Sequence, residues 1–220
     1  MPLETIDIET GPNPTASIII LHGLGADGND FVPVAEELDL SSVGPVRFVF
    51  PHGPTRPVTI NGGYVMRAWY DILGTDLARR EDEAGLRESQ ALVDELIAAE
   101  TARGIKPSRI VLAGFSQGCA MALLTGLRHA ERLAGIVGMS GYLPLREKTE
   151  AERSAGNRDL PIFLAHGAQD PMIDIGRART SRDTLASLGQ PLTWREYPMA
   201  HSVCAQEVAD INAWLLQVLA

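Results

Sequence analysis

The chain has 220 residues, 45% of them hydrophobic and 5% aromatic, with a formal net charge of −9. That length and apolar content predict one domain, residues 1–220, with a properly buried core. The acidic balance argues against nucleic acid and against anionic membrane surfaces as partners, because phosphates would be repelled.

Short β-rich runs alternate with helical patterns along the chain. Strands are predicted over Leu3–Ile8, Ala16–Leu21 and Val46–Phe50, with a helix over Asp30–Leu38 between the last two. Gly53–Glu81 reads as a long irregular connection carrying Pro54, Pro57, Gly62, Gly63, Trp69 and Tyr70. Loops of that length inside a compact domain are functional or disordered, and the adjacent tryptophan and tyrosine argue for function. A helix follows over Asp82–Arg103, with Leu86, Val93, Leu96 and Ile97 on one apolar stripe. The remainder reads as strand Arg109–Phe115, helix Ser116–Ala130, strand Leu133–Met139 and a charged connection Gly141–Leu160 too small for a cap domain. Strand Pro161–Ala165, helix Ile175–Leu188, strand Leu192–Tyr197 and helix Val203–Leu219 complete it. This alternation implies a mostly parallel sheet with helices on both faces, an α/β class. The apolar runs at 18–21 and 110–113 fit it, since strands buried on both faces lose their polar alternation.

The chain begins with an acidic stretch without the basic and apolar regions of a signal peptide, and no apolar run reaches membrane-spanning length. Stable membrane insertion is therefore not expected. Two cysteines, Cys119 and Cys204, are too few for a disulfide framework, which points to reduced thiols and a cytoplasmic location. No His, Asp or Glu cluster has the spacing of a metal site, so no metal is expected.

Gly114-Phe-Ser-Gln-Gly118 directly follows the apolar run Ile110–Ala113 and opens a helix. Gly-x-Ser-x-Gly in that context is a nucleophile elbow: the turn is sharp enough that side chains at 114 and 118 would collide with their surroundings. A serine hydroxyl needs a base, and the base needs a carboxylate that fixes its tautomer. In elbow folds the order along the chain is Ser, then Asp or Glu, then His. His201 lies in a loop between the last strand and the last helix, where it can reach back across the strand ends. His166 closes a strand and reads as a loop support. Asp170 stands just past the strand at 161–165; its rival Asp174 is better placed to cap the helix at Ile175. The reading is therefore Ser116 as nucleophile, His201 as base and Asp170 as its partner. The oxyanion is assigned to the N–H of Gln117, at the start of a helix, and of Leu24, in the loop His22-Gly-Leu-Gly25. Gly23-Leu-Gly-Ala-Asp-Gly28 also matches a dinucleotide fingerprint, but the next strand ends Phe-Val-Phe-Pro-His52 without the acidic residue that holds a ribose.

The segments HGLGADGNDF from His22, PHGPTRPVTINGGYVMRAWYDI from Pro51, GFSQG from Gly114, SGYLP from Ser140, HGAQDPMI from His166 and YPMAHSV from Tyr197 follow one another across nearly the whole chain. In these the chain resembles the carboxylesterase and acyl-protein thioesterase (lysophospholipase-like) branch of the α/β-hydrolases. The resemblance implies an α/β-hydrolase fold without a large cap and the same triad and oxyanion amides. It implies an acyl groove walled by Ile72, Leu73, Tyr142 and Met172, and it admits a homodimer. Ala200 departs from the glycine that relatives often carry before the histidine. The implied activity is a serine carboxylesterase acting on short-to-medium acyl esters through an acyl-serine, without a cofactor. Thioesters and lysophospholipids share this acyl chemistry and stand as the alternative substrates. A catalytically silent binding protein on the same fold is the alternative of another class.

Overall fold

The computed structural model describes residues 2–74 and 81–220. Along the chain the strands are β1 (Thr5–Glu9), β2 (Ala16–Leu21), β3 (Val46–Pro51), β4 (Thr55–Val58), β5 (Tyr64–Arg67), β6 (Ile110–Phe115), β7 (Gly135–Met139), β8 (Ile162–Gly167) and β9 (Leu192–Tyr197). The helices are α1 (Val32–Glu36), α2 (Glu83–Ala102), α3 (Gln117–Arg128), the short α4 (Thr149–Glu152), α5 (Ile175–Ser187) and α6 (Ala205–Val218). Seven strands form one sheet in the order β1-β3-β2-β6-β7-β8-β9, parallel throughout except for β1. No helix among the described residues is long and apolar enough to cross a membrane.

The side-chain period of two explains why β2 is apolar at every position from Ile18 to Leu21. Ile19 and Leu21 face the core beneath α2, α3 and α5, whereas Ile18 and Ile20 face the core beneath α1 and α6. On β6, Ile110 and Leu112 join the first core, Val111 and Ala113 the second. Two covered faces and a parallel order leave the carboxyl ends of β2, β6 and β8 as the open edge where functional loops collect.

Two expectations need correction. The stretch Gly53–Glu81 is not irregular throughout, because β4 and β5 pair antiparallel in a separate two-stranded sheet, Thr55 opposite Arg67 and Val58 opposite Tyr64. Residues 75–80 of that stretch lie outside the described residues. The helix predicted over Asp30–Leu38 is a 3-10 turn, Gly28–Phe31, followed by α1; Asp27 caps the turn by accepting from Asn29 N. Elsewhere the predicted elements are present with ends shifted by a residue or two.

The contact between α3 and β2 depends on two glycines. A Cβ on Gly118 would overlap the carbonyl oxygen of Leu21, and one on Gly114 would overlap the carbonyl of Gly118. Backbone cannot yield as a side chain can, so Gly118→Ala forces helix and sheet apart. It should destabilise the fold by about 3 kcal/mol; an unchanged urea midpoint would refute this packing.

Helix α6 carries a carboxyl into the interior. Glu207 is fully buried, and burial pushes it up to about 8, with Asp210 one turn on adding a like charge. The unfolded chain ionises Glu207 near 4.5. The folded state therefore loses stability as pH rises from that value towards about 8, and the penalty is constant above it. Glu207→Gln removes this dependence. Its stability relative to the parent should improve by about 3 kcal/mol between pH 5 and pH 8. A difference that stays flat across that range would show that Glu207 is ionised in the fold.

Candidate active site

At the end of β6 the chain turns through Ser116 with φ 56° and ψ −115°, a left-handed conformation that costs a non-glycine residue about 1–3 kcal/mol. Its N–H donates to Met139 O at 2.9 Å, and its hydroxyl makes no capping bond to α3. The hydroxyl is thus left at the carboxyl edge of the sheet. Gln117 is the first residue of α3, so its N–H has no acceptor within the helix.

The loop after β9 brings His201 to the same edge. Its ring packs against Phe115, centroids 4.7 Å apart, which ties the imidazole to the residue before the serine. His201 Nδ1 stands 2.7 Å from Asp170 Oδ2. The other carboxylate oxygen, Oδ1, accepts the N–H groups of Met172 and Ile173 at 2.7 and 2.9 Å. Burial pushes the Asp170 carboxyl up, but the Ile173 N–H, His201 and the Met172 N–H outweigh it and hold the carboxyl below its usual range. Asp174, the rival, instead accepts from Gly176 N as the N-cap of α5. His166 is fully buried and donates through Nε2 to Ile173 O at 2.8 Å, with Asp170 Oδ2 at 3.3 Å. It braces the turn that carries Asp170, as a loop support should.

The loop after β2 lies directly against the serine: a Cβ on Gly23 would stand 3.4 Å from Ser116 Cβ. His22 fixes this loop. One ring nitrogen, Nδ1, is 2.7 Å from Gly23 O, and the other accepts from Gly53 N at 2.9 Å. Only a neutral imidazole protonated at Nδ1 satisfies both, and burial lowers the His22 pKa in the same direction. The Gln117 side chain performs a second fastening that the sequence did not reveal. Its Oε1 accepts from Trp69 N at 3.0 Å and its Nε2 donates to Tyr70 O at 2.9 Å.

These elements enclose a cavity of about 570 Å³. Ser116, His201, Leu24 and Gln117 line it, together with Ile72, Tyr142 and Met172. Met172 stands on the rim, 71% exposed, and Tyr142 is buried with its hydroxyl 2.8 Å from that of Tyr70. Leu73, expected as a wall residue beside Ile72, is not among the lining residues. Ile60 and Asn61 from the hairpin and Tyr70, Phe115 and Ile173 also line the cavity without having been foreseen. Ile60 and Tyr70 lay inside the stretch read as irregular, where no periodicity marks an inward face. Cys119 lies behind the elbow, wholly buried, and burial followed by the nearby Glu207 pushes its thiol up. A strained hydroxyl, an imidazole steadied by a carboxylate and helix-start N–H groups around one apolar cavity form the equipment of acyl transfer.

Residues 4–219 match the model of the phospholipase/carboxylesterase family. The chain is 40% identical to acyl-protein thioesterase 1 of Cryptococcus neoformans, with 93% of each chain covered. It is 37% identical to acyl-protein thioesterase 1 of Yarrowia lipolytica, covering 97% of this chain and 96% of the other. Among solved structures, Zea mays acyl-protein thioesterase 2 superposes with a TM-score of 0.86 at 28% identity, covering 99% of both chains. Arabidopsis thaliana SOBER1 gives 0.88 at 28% identity over 93% of this chain and 99% of the other. The chain therefore belongs to the phospholipase/carboxylesterase family and is a hydrolase of the α/β-hydrolase type.

Proposed function

We propose that this chain is an acyl thioesterase that uses Ser116, His201 and Asp170 as its catalytic set. The observation that carries the reading is the His201–Asp170 pair at 2.7 Å opening onto the same apolar cavity as Ser116. In this mechanism Ser116 Oγ attacks the thioester carbonyl carbon while His201 Nε2 takes its proton. Asp170 holds the opposite ring nitrogen protonated and balances the imidazolium charge. The N–H groups of Leu24 and Gln117 receive the oxyanion. The carbon–sulfur bond breaks, the thiolate leaves with the proton from His201, and a water repeats the sequence to release the acid and restore Ser116.

The oxygen-ester reading with which the sequence began uses the same residues. The names of the curated relatives, acyl-protein thioesterases matched over 93% and 96% of their length at 40% and 37% identity, favour the thioester. The test compares kcat/KM for S-octanoyl-N-acetylcysteine methyl ester, its O-octanoyl serine analogue and an octanoyl lysophosphatidylcholine. The thioester should give the highest value. A serine ester hydrolysed faster than the thioester would return the assignment to a carboxylesterase.

A further inference from the structure

The cavity wall is made of two segments held in different ways. Trp69 and Tyr70 are buried and fastened to the nucleophile helix through Gln117, while Trp69 Nε1 donates to His22 O at 2.9 Å. Ile60 and Asn61, at the tip between β4 and β5, belong to the small sheet and not to the seven-stranded one. Asp71 supplies the side-chain link from this tip to the wall. Its Oδ1 accepts from Thr59 N at 2.7 Å and its Oδ2 from Thr59 Oγ1 at 2.5 Å, both at exposed positions. One residue on, Ile60 N donates to Ile72 O at 3.0 Å. Asp71 is itself anchored, its N–H donating to Asp82 Oδ2 at the start of α2. Neither Asp71 nor Thr59 lines the cavity.

We infer that Asp71 sets acyl-chain specificity: its clasp on Thr59 holds Ile60 and Asn61 as the wall against which a longer acyl chain packs. The inference rests on the acyl-hydrolase reading of the cavity. With the clasp removed, the tip occupies its place in only a fraction of molecules. A chain that needs the wall then binds to that fraction alone, and its KM rises by the reciprocal. An acetyl group fills a small part of a cavity of about 570 Å³ and does not draw on the tip.

The experiment compares acetyl and decanoyl thioesters of one thiol on the parent chain, Asp71→Ala, Asp71→Asn and Thr59→Val. Asp71→Ala loses both charge-assisted hydrogen bonds to Thr59 and should raise KM for the decanoyl substrate about tenfold, the tip then holding its place in about a tenth of the molecules. Its decanoyl kcat and its acetyl kcat/KM should match those of the parent. Asp71→Asn keeps an acceptor for Thr59 N–H, and Thr59→Val keeps that N–H while losing the hydroxyl. Both should fall between the parent and Asp71→Ala. Equal losses on the two substrates, or an unchanged decanoyl KM in folded Asp71→Ala, would overturn the inference; should Asp71→Ala not fold, Thr59→Val decides by the same ratio. A parent chain that turns over neither substrate would overturn the hydrolase reading and the inference with it.

Discussion

Replacing Ser116 with alanine should lower turnover of thioesters and esters by about 10⁶-fold, the loss seen when a triad nucleophile is removed from a serine hydrolase. The fold should survive the change. Ser116 makes no side-chain cap to α3, so deleting its hydroxyl removes no bond that holds the helix start. Its backbone N–H, which donates to Met139 O, is untouched by the substitution. A comparison with Ser116→Gly separates catalysis from strain. Both variants lack the nucleophile, yet glycine relaxes at φ 56° and alanine does not. Ser116→Gly should therefore be as inactive as Ser116→Ala and more stable by about 1 kcal/mol. Stopped-flow turnover and urea denaturation on the two proteins check both halves. Turnover within tenfold of the parent in either variant would remove Ser116 from the mechanism.

The second large effect is expected at Asp170. Asparagine is nearly isosteric and can still accept the Met172 and Ile173 N–H groups through Oδ1. Its amide nitrogen would then face His201 Nδ1, where Oδ2 now stands at 2.7 Å. A donor at that position turns the imidazole to the tautomer with Nδ1 unprotonated and Nε2 carrying the proton. A ring in that state cannot take a proton from Ser116. Asp170→Asn should lower kcat by about 10⁴-fold. Asp174→Asn is the control, because that side chain faces Gly176 N at the start of α5 and not the imidazole. It should leave kcat unchanged. A loss at Asp174 without one at Asp170 would reverse the assignment of the acid.

Much of this architecture was legible because the signals are local and steric. β2 and β6 announce themselves as runs of branched residues, buried on both faces. The elbow is visible because Gly114 and Gly118 are demanded by backbone-to-backbone approach, which leaves a mark in the sequence. Asp170 and Asp174 were separable because a helix cap has its own position relative to the helix it starts. The hairpin left no such mark. Its strands are four residues long, β4 contains Pro57, and Tyr64 and Val65 point outward, so the alternation that signals a half-buried strand is missing. Its place is set by distant bonds, Gly25 N to Arg67 O and Ile60 N to Ile72 O, which no local pattern encodes. The same is true of Phe115 against His201 and of the Gln117 carboxamide gripping residues 69 and 70. Ile72 and Leu73 were both expected in the wall and only Ile72 lines the cavity, because in a segment without regular periodicity the facing of two adjacent apolar residues depends on tertiary contacts alone.

In the proposed mechanism one hydroxyl, raised by the elbow and served by the His201–Asp170 pair, carries the acyl group. Incubation of the folded chain with a fluorophosphonate probe, followed by peptide mapping, reads out that hydroxyl. One covalent adduct, on Ser116, should form in step with loss of thioester turnover and be absent from unfolded chain and from His201→Ala. Full inhibition without an adduct on Ser116, or a labelled Ser116 in a chain that still turns over thioesters, would remove Ser116 as the acyl carrier.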